Sequence, residues 1–447
     1  MNIILLCGGA GMRLWPLSNG TQSKQFLRMF QGVDGNQESM IQRMYRQIKE
    51  SGIDINHFVV ATNAIQEDII RSQLGDDIDI VLEPERRNTF PAVALSTAYL
   101  SIKKGCSDDE SLIVLPVDTY AELDFFRFLQ KMDVALASNL ADIVLIGIPP
   151  TWPSTEYGYI VSKDEPVGEV KYVQKFIEKP EKKVAAKMIN EGAVWNGGVF
   201  AVKLSYMMQQ LSNHMQVKSY EEFRDKFSEL EKESFDCKVV EKASSVAMIP
   251  YNGVWKDLGT WGTFMEEISP NINGAKVIVG ENVKNTNIVN KTDIPLAVIG
   301  AKNLIIVASP DGFLVSDKES TSRIKSYVEK IDQRPRFEER RWGTYKIIDF
   351  EVYGNRQALT KHIKINANNA ISYQRHAMRD EVWIFLDGVG CLLLDGKTRW
   401  VQSGDIVCIS KGQCHALKAV TETHFIEVQI GEAVVEEDIE RFQWSWE

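Results

Sequence analysis

The sequence predicts an α/β protein: a doubly wound domain with a mostly parallel sheet, then a short β-coil segment, then a C-terminal all-β barrel. Three observations predict it. Short apolar runs alternate with segments of helical period over the first 270 or so residues. The composition then shifts to brief β-rich strokes broken by Gly, Asn and Asp. From about residue 337 onward, short strands follow one another between Gly- and Asp-bearing turns.

In chain order, strands are expected at residues 3–7, 57–61, 78–82, 111–116, 143–148 and 199–202, each a short and largely apolar run. Helical spacing of apolar residues falls between them, at 38–50, 64–74, 92–104 and 124–138. Strands that alternate with helices argue for a parallel sheet covered on both faces. The turn residues 271–274 open the next segment, where strokes at 277–279, 296–299 and 304–307 suit the rungs of a parallel β-coil. A polar helix at 321–332 leads to the linker Arg334-Pro335. Strands then follow at 345–348, 358–365, 382–386, 390–394, 405–409 and 424–429. The expected domains are 1–270, 271–333 and 334–447.

Composition narrows the function. The chain has 447 residues and a net charge of −10, with 44% hydrophobic and 25% charged residues, which describes an ordinary globular protein. At roughly 100–200 residues per domain there is room for two to four folding units. An acidic balance without a long Lys/Arg run argues against nucleic acid as a partner. Six cysteines, none in a C-x-x-C pair, are expected to be free thiols. The first apolar run stops at Gly8, too short for a signal peptide, and no stretch reaches the ~18 apolar residues of a membrane span. A cytoplasmic protein without membrane attachment is expected.

The sharpest local signal is Gly8-Gly9-Ala10-Gly11-Met12-Arg13-Leu14-Trp15-Pro16-Leu17-Ser18. A strand that runs straight into a glycine cluster can turn tightly and point several N–H groups at an anion. Arg13 adds a guanidinium able to grip phosphate oxygens in bidentate fashion. Neither familiar glycine loop fits: no Gly-Lys-Ser/Thr follows, and a G-x-G-x-x-G started at Gly9 fails at Leu14.

With Lys24-Gln25-Phe26 behind it, this segment resembles the signature of sugar-1-phosphate nucleotidylyltransferases, and the Leu-Trp-Pro-Leu-Ser variant is similar to that of mannose-1-phosphate guanylyltransferases. The family usually has Pro before the lysine, where this chain has Ser23, a change expected to loosen the lysine's loop. Further segments match in order. Residues 83–92, with Arg87 and Asn88, resemble the stretch beside the nucleotide base. Leu115-Pro116-Val117-Asp118 ends a strand with a carboxylate, although the family's next histidine is Thr119 here. Tyr157-Gly158 and Glu178-Lys179-Pro180 resemble sugar and sugar-phosphate segments, and Trp195-Asn196-Gly197-Gly198 and Trp255-Lys256-Asp257 complete the set.

The resemblance implies attack by a sugar-1-phosphate oxygen on the α-phosphate of GTP, with pyrophosphate leaving. Two polyanions must meet, so positioning and charge neutralisation are the task. It implies that Gly8, Gly9 and Gly11 hold the triphosphate with Arg13 and Lys24, while Asp118 and Asp257 hold Mg²⁺ through hard oxygen ligands. Lys179 then meets the sugar phosphate, Tyr157 and Gly158 border the sugar, and Glu178 and Asn196 bind its hydroxyls. Trp195, Trp255 and Trp261 are expected to pack in the core. The sugar itself is open between mannose and a relative such as a manno-heptose.

The C-terminal segment Gln374-Arg375-His376-Ala377-Met378-Arg379-Asp380-Glu381-Val382-Trp383, with His415, has the spacing of cupin barrel ligands and resembles the phosphomannose isomerase half of bifunctional guanylyltransferase–isomerases. Met378 stands where the family has the second histidine of His-x-His, Val382 stands for another, and Gln374 is the residue available to replace a lost ligand. Two readings follow: a barrel that has ceased to catalyse and serves packing or oligomerisation, and an active isomerase holding Zn²⁺ on Gln374, His376, Glu381 and His415. A homo-oligomer is left open, because β-coil and cupin surfaces commonly self-associate.

Overall fold

The computed structural model describes every residue except 10–11, 54–57, 214, 216, 269–271, 332–333 and 447, and describes no side chain at 164–165. Gly11, the first residue of the strand expected at 57–61, the opening of the 271–274 turn and the end of the 321–332 helix lie outside the described residues. The chain forms two compact units: Met1–Leu14, Ser23–Glu67 and Gln73–Pro270 make the first, and Trp15–Gln22, Asp68–Ser72 and Asn271–Glu447 the second.

A nine-stranded sheet organises the first unit, in the order Asp79–Glu83, Phe58–Asn63, Asn2–Leu6, Ser111–Pro116, Val194–Lys203, Ile143–Ile148, Val246–Pro250, Val170–Ile177 and Tyr159–Val167. The first four strands run parallel. Asn2–Leu6 lies between two parallel neighbours, and Ile3, Ile4 and Leu5 are buried, which is why this segment reads as an unbroken apolar run. Val194–Lys203 then enters antiparallel between Ser111–Pro116 and Ile143–Ile148, so the sheet is parallel on one side and mixed on the other. The hairpin Tyr159–Val167/Val170–Ile177 was not predicted, because charged and polar residues interrupt both strands and no apolar run in either exceeds three residues.

Helices Met40–Ser51, Ala64–Leu74, Thr89–Ala98 and Leu123–Ala137 cover the sheet. Ser39 and Gln42 form a capping box, which moves the first helix start from the expected 38 to 40. Asn88 caps the third, which begins at Thr89 rather than 92, and its expected run to 104 becomes a π-helical turn over Tyr99–Lys103. Among the described residues no helix is long and apolar enough to cross a membrane.

In the second unit, Ile272–Asn273, Asn287–Asn290 and Leu304–Ser309 stack in parallel, as do Val277–Val279 and Leu296–Val298, which makes the coil. Asn290 is 2% exposed and its Nδ2 donates to Ile294 O at 2.9 Å, so a buried amide holds the turn between rungs. The helix expected at 321–332 is broken into a 3-10 turn, Ser320–Arg323, and the short helix Lys325–Val328. Thr321 Oγ1 donates to Lys318 O and Ser326 Oγ to Arg323 O, and such local bonds compete with regular helix.

The barrel that follows is antiparallel throughout its two sheets. The six-stranded one runs Phe337–Arg340, Gly343–Tyr353, Arg356–Ile365, Thr423–Gly431, Arg379–Asp387, Ile406–Ile409. The five-stranded one runs Lys397–Gln402, Val389–Leu394, His415–Ala419, Tyr373–Arg375, Glu440–Phe442. Trp383, Phe385, Leu392, Leu417 and Phe425 fill its interior.

Candidate active site

Strand Asn2–Leu6 delivers Cys7, Gly8 and Gly9 to the carboxyl edge of the parallel strands, where ligands bind in open α/β sheets. A Cβ on Gly8 would lie 3.0 Å from Glu83 Oε1, whereas Gly9 has open space around it. Ser23 Oγ donates to Gly9 O at 2.7 Å, and Gln66 Nε2 donates to both Gly9 O (3.2 Å) and Ser23 Oγ (2.7 Å). The serine expected to loosen the lysine's loop instead ties it to the glycine loop, by a hydrogen bond that proline lacks the hydroxyl to make.

Lys24 is buried, and its Nζ sits 2.9 Å from Asp118 Oδ2 and donates to Leu258 O at 3.1 Å. Burial pushes the Asp118 carboxyl up, but Lys24 and then Arg13 outweigh it and hold the group below its usual range. The Asp118 side chain is still 39% exposed and open to a ligand. Asp257 reaches the same place from strand Trp255–Asp257, which pairs antiparallel with Thr119–Ala121 so that Asp257 lies opposite Thr119. Burial first, and the Asp118 charge second, push the Asp257 carboxyl up to about 6. Its Oδ1 is buried without a hydrogen-bond partner among the described residues. A Cβ on Gly259 would lie 3.1 Å from that oxygen and 3.4 Å from Arg13 Nη1, so Arg13 borders the acidic pair. Two crowded carboxylates, one with an orphaned oxygen, fit a hard divalent cation.

Gly8, Gly9, Lys24, Arg87, Asn88 and Asp118 line one cavity of about 290 Å³. Arg87 spends its guanidinium on Glu85 Oε1 and Leu230 O, both at 2.7 Å, which ties the cavity wall to the Leu230 segment. Asn88 adopts a positive φ of 72° and caps the helix from Thr89. Glu83 and Arg86, which belong to the same segment 83–92, also line this cavity.

A second cluster gathers Tyr157, Gly158, Glu178, Lys179 and Asn196. A Cβ on Gly158 would lie 2.6 Å from Glu178 Oε2, 3.0 Å from Phe176 Cζ and 3.3 Å from Asn196 Cβ, so only glycine lets these groups close. Lys179 Nζ pairs with Glu178 Oε1 at 2.7 Å, and Lys179 has a positive φ of 44°. Asn196 Nδ2 donates to Asp236 Oδ1 at 2.7 Å. Asp236 went unremarked in the sequence because it lies 40 residues from its partner. Burial, with Glu178 adding to it, raises its carboxyl to about 7. Tyr157 packs against Trp195 and Trp255, ring centroids 4.8 and 5.7 Å away, while Trp261 is fully buried.

In the barrel, His376, Glu381 and His415 are buried and present ligand atoms within 4.8 Å of one another. Gln374 pairs with His415 across adjacent strands, and its Oε1 accepts from Ser372 Oγ at 2.8 Å. Arg379, which the sequence did not single out, is 2% exposed; its Nε donates to Glu381 Oε1 at 3.0 Å and its Nη2 lies 3.3 Å from His376 Nε2. Burial lowers both imidazoles, His376 to about 4, so they are neutral at pH 7, the state that ligates metals. His415 Nε2 is buried with no hydrogen-bond partner among the described residues. Behind Glu381, Gln429 Nε2 bridges to Glu427 at 2.9 Å, and burial raises Glu427 to about 7.

Residues 2–272 match the nucleotidyl transferase family, and residues 329–444 match the mannose-6-phosphate isomerase C-terminal family. The chain is 31% identical to a mannose-1-phosphate guanylyltransferase of Salmonella montevideo, over 98% of each chain. It is 30% identical to the alginate biosynthesis protein AlgA of Pseudomonas putida, over 98% of this chain and 95% of that one. A crystal structure described as a mannose-1-phosphate geranyltransferase from Thermus thermophilus superimposes with a TM-score of 0.61 at 28% identity, over 74% of this chain and 99% of that one. The chain belongs to the nucleotidyl transferase family, in the branch that also carries a mannose-6-phosphate isomerase C-terminal domain.

Proposed function

We propose that the chain forms GDP-mannose and pyrophosphate from GTP and α-D-mannose 1-phosphate. One observation carries this reading: Asp118 and Asp257 meet beside Lys24 and Arg13 at the mouth of the glycine loop, with Asp257 Oδ1 left unpartnered among the described residues. Asp118 and Asp257 would hold Mg²⁺, which when bound supplies charge neutralisation between the reacting phosphates. Gly8 and Gly9 receive the nucleotide's phosphates, and Lys24 and Arg13 offset their charge. Glu178 and Asn196 orient the sugar, Lys179 its phosphate. An anionic oxygen of the sugar phosphate attacks the α-phosphorus in line; the new P–O bond forms as the bond to the β-phosphate oxygen breaks, and pyrophosphate leaves with that electron pair. The attacking oxygen is already ionised, so no side chain need remove a proton, and positioning dominates.

A pyrophosphate-release assay with GTP and a panel of sugar 1-phosphates tests the reading. Mannose 1-phosphate is expected to give the highest kcat/KM; a higher value for a manno-heptose 1-phosphate would reassign the sugar, and no release with any sugar would overturn the proposal. Gly158→Ala is expected to raise KM for the sugar phosphate by roughly tenfold or more, with KM for GTP unchanged, because the added methyl forces Glu178 and Asn196 apart.

A second reading concerns the barrel. The orphaned Nε2 of His415, facing Glu381 Oε2 at 3.6 Å, favours Zn²⁺ held by His376, Glu381 and His415, with Gln374 beside them. Purified protein is then expected to carry about one zinc per chain and to isomerise mannose 6-phosphate, and His415→Ala to lose both without loss of pyrophosphate release. Zinc-free protein without isomerase turnover would return the barrel to a packing role, with Arg379 as its permanent internal cation.

A further inference from the structure

The segment Trp15–Gln22 separates the two cations of the nucleotide site: Arg13 stands two residues before it and Lys24 two after it. It belongs to the compact unit of the β-coil, and the turn that joins Leu304–Ser309 to Gly312–Asp317 holds it at two points. Ser309 Oγ donates to Pro16 O at 2.7 Å and accepts from Asp311 N at 3.1 Å. Asn19 Nδ2 donates to Asp311 Oδ2 at 2.6 Å, across 292 residues of sequence. Asn19 Oδ1 accepts from Thr21 N, Thr21 Oγ1 and Gln22 N at 3.0, 3.0 and 2.7 Å, which shapes the turn that leads to Lys24. Asp311 Oδ1 accepts from Arg336 N at 2.5 Å, so both of its oxygens are engaged. Trp15 packs close behind: a Cβ on Gly312 would lie 2.6 Å from its Cζ2. Ser309 and Asn19 are 5% and 7% exposed, so water does not readily replace a lost partner.

Resting on the guanylyltransferase reading, we propose that Asn19, Ser309 and Asp311 are positioning residues of the nucleotide site, a clamp from the β-coil that fixes where Arg13 and Lys24 meet the triphosphate. A guanidinium and an ammonium neutralise developing phosphate charge only from the right places. The described segment 15–22 contains no helix or strand, and a short 3-10 turn lies at either end of it, Met12–Leu14 and Lys24–Phe26. Its rigidity therefore comes from side chains outside it, and those belong to the coil. The clamp acts through the backbone of 15–22, whose two ends carry the cations. A role in folding alone would change stability and leave the GTP affinity of the folded protein untouched.

Calorimetric binding of GTP to the full chain, with pyrophosphate release alongside, tests this by exchange of the two polar groups. Asn19→Asp sets two carboxylates against each other, and Asp311→Asn leaves one acceptor for two donors. Each variant is expected to weaken GTP binding and lower kcat/KM for GTP by roughly 10–100-fold, with KM for the sugar phosphate within about twofold of the parent. In the doubly exchanged protein the amide at 311 donates to the carboxylate at 19, and its oxygen still accepts from Arg336 N. Both values are then expected to return to within about threefold of the parent. Ser309→Ala releases only Pro16 O and Asp311 N and is expected to cost less, roughly 3–10-fold. Melting curves show that each variant is folded at the temperature of measurement. A single variant that binds GTP like the parent would overturn the proposal, as would an exchange that restores the melting temperature but not the GTP affinity. Should Asn19→Asp not fold, Ser309→Ala decides alone, and unchanged GTP affinity overturns the clamp. If the exchange restores GTP binding but no sugar 1-phosphate releases pyrophosphate, the reaction assignment fails and the clamp stands. If both single variants turn over at the parent rate, the clamp fails and the reaction stands.

Discussion

Asp257→Asn is expected to lower kcat by at least about 10²–10³-fold while leaving the protein folded and, above about pH 6, no less stable than the parent. The two effects have one cause. Burial and the neighbouring Asp118 charge raise Asp257 to about 6 in the folded protein, well above its ordinary value of 3.8. A group raised on folding adds stability below its unfolded value, and that stability is lost as pH rises through the folded value. At pH 7–8 the ionised Asp257 is therefore a liability to the fold, and an uncharged amide relieves it. Bound Mg²⁺ competes with the proton for this carboxylate, so the acidic fall in turnover is expected to lie below the pH at which metal-free Asp257 titrates and to move lower as Mg²⁺ concentration rises. Thermal melts and pyrophosphate release across pH 5–9 check both. A variant with near-parent kcat would remove Asp257 from the catalytic site.

Lys24→Met is expected to be as damaging to turnover but opposite in its effect on stability. The methionine keeps most of the apolar stem and removes the ammonium that sits 2.9 Å from Asp118. Asp118 then loses the stronger of the two charges that hold its carboxyl below the usual range and faces Asp257 with Arg13 as the remaining cation. Loss of one partner from a buried pair costs about 3–5 kcal/mol; with Asp118 still 39% exposed, water replaces part of the lysine and about 1–3 kcal/mol is expected. A depressed carboxyl adds stability above its unfolded value and loses it as pH falls. The gap between parent and variant should therefore narrow below about pH 4. Loss of kcat/KM by roughly 10²–10³-fold is expected from the missing phosphate contact. A variant equal to the parent in denaturant midpoint at pH 7 would show that the Lys24–Asp118 pair contributes little to folding.

Much of this site was legible because its parts are local. A strand that runs into Gly8-Gly9 and a strand that ends at Asp118 both announce themselves in contiguous residues, and the alternation around them identified the doubly wound domain. The barrel showed in its short strands and in the joint spacing of His376, Glu381 and His415. What was not legible depends on residues far apart in sequence. Asp236 matters through Asn196, 40 residues away in the chain. The role of Ser23 reversed on folding, since its hydroxyl finds Gly9 O, a partner that a comparison with proline does not reveal. Arg379 stood in plain view between His376 and Glu381, but nothing in the spacing said that its guanidinium turns inward. The antiparallel entry of Val194–Lys203 was hidden for another reason: buried strands of either direction read alike as apolar runs.

The account stands on a divalent cation shared by Asp118 and Asp257. Anomalous diffraction from crystals grown with Mn²⁺, GTP and mannose 1-phosphate tests it most directly. The predicted result is one peak within about 2.2 Å of a carboxylate oxygen from each aspartate and of a phosphate oxygen. A peak held by phosphates alone, with both side chains turned away from it, would contradict the account.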